Sequence, residues 1–127
     1  VPLTNAVPGW TLVMPAGTAQ LWNFIFTTVA TGNPYPISGA TWEYVVRTSP
    51  GSGGSPLIEV TTTVGPDGLL TVTSTAALSQ VAMDLYPAAT MSLSPGSYFH
   101  ALWMNPGTNA AYSWFTGLLQ IESASQP

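Results

Sequence analysis

The sequence predicts an all-β protein: an antiparallel β-sandwich of about seven or eight strands with one short helical turn. Three observations lead there. Apolar and polar residues alternate with a period of two in run after run. Clusters of Gly, Pro, Asn and Asp separate those runs. The 127 residues suit one domain with one real core, and that core needs two packed layers.

The elements follow in chain order. Residues 1–14 read as an amino-terminal arm and lead-in strand, stiffened by Pro2 and Pro8. Residues 15–121 are expected to form the sandwich, and residues 122–127 a tail. In the first strong run, Trp22, Phe24 and Phe26 share a face opposite Asn23 and Thr27. TGNPYPISG is a turn-rich break. In ATWEYVVRT, Trp42, Tyr44 and Val46 face one way, and Thr41, Glu43, Val45 and Arg47 the other. SPGSGGSP is a connector, because it lacks the Gly-Lys-Ser/Thr of a phosphate loop. LIEVTTT and LLTVTS flank VGPDG, whose Asp67-Gly68 pair predicts a hairpin between them. SQVAMDL is the next strand, and Pro87 in YPAATMSL opens one helical turn. GSYFHALWM and AYSWFTGLLQI close the domain across the turn NPGTN.

Composition excludes several functions. Charged residues are 5% of the chain, against a usual ~25%. Five acids stand against one Arg and no Lys. Such a chain cannot neutralise a phosphate backbone, so nucleic acid is excluded as a partner. Anionic membrane surfaces are excluded on the same ground. No window approaches the ~20 apolar residues that cross a bilayer. With no Cys and one His, no metal-ligand spacing is recognisable, and no cofactor motif appears. A weakly charged surface of Ser, Thr, Asn, Gln and Gly favours association, which suggests life inside an assembly.

Three groups of residues are candidates for chemistry or binding. His100, the single histidine, could act as a general base, yet the chain has no Gly-x-Ser-x-Gly elbow to supply a nucleophile. Its neighbours in the strand are apolar, so the expectation is a packed histidine bonded to a hydroxyl or carbonyl. Glu43 and Glu59 could share a sheet face with Arg47. The simplest outcome is a surface cross-strand ion pair with Arg47; two acids across a cleft would be glycosidase equipment. Trp22, Trp42, Trp103 and Trp114 read as core. Trp10, Tyr35, Tyr86 and Tyr112 lie in or near loops, where they could meet a partner or a sugar ring. The expected interface is Val1, Pro2, Trp10, Tyr35, Tyr86 and Pro127.

The order of motifs resembles the small immunoglobulin-like β-sandwich domains of tailed-phage virion proteins, including the amino-terminal domains of baseplate upper proteins. The pieces that match are AGTAQLWNFIF, GNPYPISGATWEYVVR, VGPDGLLTV, LSPGSYFHALWM and WFTGLLQI. The resemblance implies an immunoglobulin-like sandwich, no catalytic residues and no cofactor. It implies partners among other virion proteins, such as major capsid or tail proteins, with several copies in one particle. The sequence shows no attached fibre or receptor-binding segment. The expectation is therefore a non-enzymatic capsid decoration or accessory head or tail subunit, located in the virion. A carbohydrate-binding module using loop aromatics is the alternative, and a small hydrolase with His100 as base is a further one.

Overall fold

The computed structural model of the chain describes residues 11–28, 30–49 and 55–123. Eight strands and one short helix follow in order: β1 (Leu12–Pro15), β2 (Gln20–Ile25), β3 (Trp42–Arg47), β4 (Ile58–Thr61), β5 (Gly68–Ser74), β6 (Ser79–Leu85), α1 (Pro87–Thr90), β7 (Gly96–Met104) and β8 (Tyr112–Glu122). They form a five-stranded sheet, β1-β8-β7-β3-β4, and a three-stranded sheet, β2-β6-β5. This is the all-β sandwich the sequence predicts. Every pairing is antiparallel except β1 with β8, which run parallel.

The core lies between the two inner faces. Trp42, Tyr44 and Val46 of β3 meet Phe24 of β2 and Val81, Met83 and Leu85 of β6 there. Without a disulfide, the sheets are tied by aromatic rings. Phe24 packs on Phe115 at 5.1 Å between ring centres, and Phe26 stacks on Trp42 at 5.2 Å. Phe26 also meets Trp114 at 4.5 Å. Trp42 and Trp114 bury their indole Nε1 atoms with no hydrogen-bond partner among the described residues.

Strand β8 departs from strict alternation. Its pairing with β7 shifts between Leu102 and Trp103, so that Trp103 faces Ser113 and Leu102 faces Phe115. This bulge lets Trp114 and Phe115 both turn inward, although they are consecutive. Beyond it the inward set is Leu119 and Ile121, and Leu118 is left facing out.

Two local devices fix the ends of the sandwich. Tyr86 is extended, as the residue before Pro87 must be, and the helical turn starts at that proline. Thr90 at the end of the turn is buried, and its Oγ1 accepts the Gly17 N–H at 2.9 Å. Tyr98 at the start of β7 donates its hydroxyl to the Ser94 carbonyl at 2.7 Å. That is the tyrosine corner found at this place in immunoglobulin-like sandwiches.

The hairpin expected at Asp67-Gly68 does not form. β4 pairs with β3 and β5 with β6, so the segment crosses from one sheet to the other. Asp67 belongs to both ends of that crossing. Its Oδ2 accepts the Glu59 N–H at 3.1 Å, and its carbonyl accepts the Tyr86 N–H at 2.9 Å. Gly68 follows at φ 153°, and a Cβ there would fall 2.2 Å from the Asp84 carbonyl oxygen. The pair that suggested a tight turn is kept by a close backbone approach instead.

Candidate functional site

Two places on β3 and β7 concentrate the polar and aromatic residues. One is inside the sandwich and the other is on its outer surface.

The inner one is His100. It sits in β7 between β3 and β8, 3% exposed, with Gly117 as its cross-strand neighbour. Tyr44 Oη and His100 Nδ1 are 2.9 Å apart, and the imidazole packs on Phe115 at 5.0 Å. Burial holds the Tyr44 phenol well above its ordinary range, so it keeps its proton. The phenol and the imidazole Nδ1 are hydrogen-bond partners, and the imidazole tautomer decides which of them donates. A histidine held this way is a member of the core.

The outer one follows from sheet register. On the solvent side of the five-stranded sheet, Glu43 lies between Thr61 and Trp103. Val45 lies between Glu59 and Ala101, and Arg47 lies beside Phe99. Strand β8 extends these rows with Ser113, Thr116 and Leu118. A sandwich has only two layers, and no described element covers this side. Val45, Phe99, Ala101, Trp103 and Leu118 therefore floor a trough of about 1060 Å³, with Glu43 and Arg47 in its wall. A concave apolar floor with few convergent polar groups is the usual form of a binding site.

Glu59 is diagonal to Glu43 across the β3–β4 pair, within reach of long side chains. The two carboxyl groups share a hydrogen bond, which requires a proton on one of them. That bond, burial and the Glu59 charge push Glu43 from its ordinary 4.5 up to about 7, while the Arg47 guanidinium pulls the other way. At neutral pH the Glu43 carboxyl is therefore about half protonated. Carboxyls in direct contact leave no space between them for a glycosidic bond, whose hydrolysis needs ~5 Å or more.

The expected residues are distributed as follows. Trp42 and Trp114 are core, and Trp22 packs against it half-buried. Trp103 is not core; it faces out and is part of the trough, because only one face of β7 meets the other sheet. Glu43, Glu59 and Arg47 share one face as the alternation predicts. Their expected relation was an Arg–Glu ion pair, and the carboxyl–carboxyl bond adds a contact that alternation does not reveal.

Tyr35 is half-buried, edge-on to Trp114 at 5.5 Å. Its carbonyl accepts the Ser79 hydroxyl, which ties its loop to β6. Tyr112 also packs edge-on to Trp114 at 5.5 Å. Tyr86 is half-buried beside α1. None of these three tyrosines lines the trough. Val1, Pro2, Trp10 and Pro127 lie outside the described residues. Among the described residues no group of three or more His, Cys, Asp or Glu could hold a metal ion. No helix of the described residues is long and apolar enough to cross a membrane.

No family model matches the sequence, and no curated protein does. Among solved structures, a family 123 glycoside hydrolase from Clostridium perfringens is similar over 98% of this chain, with 11% identity and a TM-score of 0.40. The chain spans about a quarter, 24%, of that enzyme's length. At that distance the enzyme's activity does not transfer to this chain.

Proposed function

We propose that the chain is a non-enzymatic structural subunit that docks on other proteins of a tailed-phage particle, as a capsid decoration or an accessory head or tail subunit present in several copies. One observation carries the docking part: the apolar trough on the outer face of the five-stranded sheet, floored by Phe99 and Trp103 of its central strand β7. Large aromatics on an open sheet face gain most when a neighbour buries them. The depletion of charge and the motif resemblance support placing that neighbour in a virion. Purified particles give the test. Proteomic analysis across a density gradient should find the chain in the particle band at a fixed ratio to the capsid or tail protein. Its absence from particles made by cells that express it would sink the virion reading.

A second reading has its own observation. Trp103 stands beside Glu43 on the sheet, and an aromatic ring next to carboxyl groups suits a neutral sugar. On this reading the trough replaces the loop tyrosines as the platform. Glycan-array binding that disappears in Trp103→Ala and survives in Tyr86→Ala would favour it.

A further inference from the structure

Once both carboxyls are ionised, the Glu43–Glu59 contact costs stability, since like charges side by side on a sheet repel. The whole chain has five acids, and two of them are placed together, Glu43 in the trough wall and Glu59 beside it on β4. A fold with so few charges had ample room to keep them apart. Inside the protein, the only cationic side chain near the pair is Arg47, and it already forms part of the same wall. The chain has no Lys and no second Arg. A second copy facing this trough could bring only its own Arg47, which is already committed to its own trough.

We infer that the trough receives a segment of a different protein, one that sets a basic side chain against Glu43 and Glu59 and lays apolar side chains on Phe99 and Trp103. The inference rests on the docking reading above and gives its partner a chemistry. A guanidinium or ammonium group takes the place of the shared proton, so both carboxyls become acceptors of charge-assisted hydrogen bonds. Trp103, directly across from Glu43, puts an aromatic ring within reach of the same cation. The exchange releases a proton. The charged groups around the pair are few. Arg47 lies on the same strand, and Asp67 holds the Glu59 backbone N–H from the β4–β5 crossing. Strand β7 brings Phe99, Ala101 and Trp103 to this side, none of them charged.

The test is selection of a random twelve-residue peptide library against the full chain at pH 8. The expected winners combine Arg or Lys with apolar or aromatic residues. Calorimetry on the best of them should show binding about ten-fold or more weaker to a Glu43→Gln, Glu59→Gln double variant. Binding to Asp84→Asn, on the far sheet, should be unchanged. Affinity should fall from pH 8 to pH 6, as the carboxyl pair regains its proton. Circular dichroism confirms that each variant is folded. Winners without a basic residue, or basic winners indifferent to the double variant, overturn the inference. If those peptides still lose binding in Trp103→Ala, the docking reading survives without it. If no winner responds to Trp103→Ala, both fail. A dimer broken by Trp103→Ala in sedimentation, or glycan binding lost in that variant, also overturns it.

Discussion

Strands β3 and β7 have two faces, and the two treat polar groups in opposite ways. Inward, Tyr44 and His100 meet each other, and one hydrogen bond joins the phenol oxygen to the imidazole nitrogen. Outward on the same strands, Glu43 meets Glu59 of β4 and Trp103 lies half-buried. The backbone is the same for both. What differs is access to water. In the closed core an unpartnered polar atom costs the full desolvation penalty, which the Tyr44–His100 pair avoids and the Trp42 and Trp114 indole nitrogens do not. On the open face water screens repulsion, and an incomplete arrangement can persist. The inner face therefore records what holds the fold together, and the outer face records what the fold has left available.

Adjacent residues of β7 give the strongest way to break that contrast. Leu102 is fully buried, and Leu102→Ala should lower unfolding free energy by about 3 kcal/mol in urea titration. Trp103→Ala, next in the chain, should cost less, about 1–2 kcal/mol, because part of its surface stays wet in the native state. Equal losses would mean that the outer face is core after all.

Tyr44→Phe probes the inner pair. It leaves His100 Nδ1 buried without its partner, and should cost about 1–3 kcal/mol with little change in volume. A neutral outcome would show that the contact is packing alone.

Glu43→Gln probes the outer pair through pH. The Glu43 carboxyl is raised to about 7 in the fold from an ordinary 4.5. Its contribution is fully present below the lower value and is lost as pH climbs through the higher one. Wild-type stability should therefore decline between those two values, by on the order of 1 kcal/mol once solvent screening is allowed for. The variant should lack this decline and be the more stable protein at pH 8. A decline of the same size in Glu43→Gln would locate the titration elsewhere.

Asp67→Ala should have the smallest effect, under about 1 kcal/mol. It removes the acceptor from the outward Glu59 N–H at the β4 edge. An uncapped edge is a template for strand addition, so light scattering at high concentration should rise more than stability falls.

Much of the fold was legible because side-chain direction in a strand is a local property. Trp42, Tyr44 and Val46 face in, and Glu43, Val45 and Arg47 face out, as a period of two requires. Pro87 marks the helical turn for an equally local reason. Trp103 was misplaced because alternation says which residues share a face, and not whether a second layer covers it. Trp114 and Phe115 break the period through a bulge, which depends on the pairing of β8 with β7. Asp67-Gly68 reads as a hairpin from two residues, yet the partners of β4 and β5 are chosen by contacts far along the chain.

The candidate site was half legible. Glu43 and Arg47 were assigned to one face by spacing alone. The approach of Glu59 needed the register of β4 against β3, and nothing in LIEVTTT encodes that.

The sequence by itself determined the period, the turns, the want of cations and the set of side chains each strand turns to one side. Those follow from backbone geometry and from counting. Which strands became neighbours, which face was sealed, and that two carboxyls came to share a proton were decided by the tertiary structure. Pairing and burial are relations between distant segments, and they form only when the whole core closes.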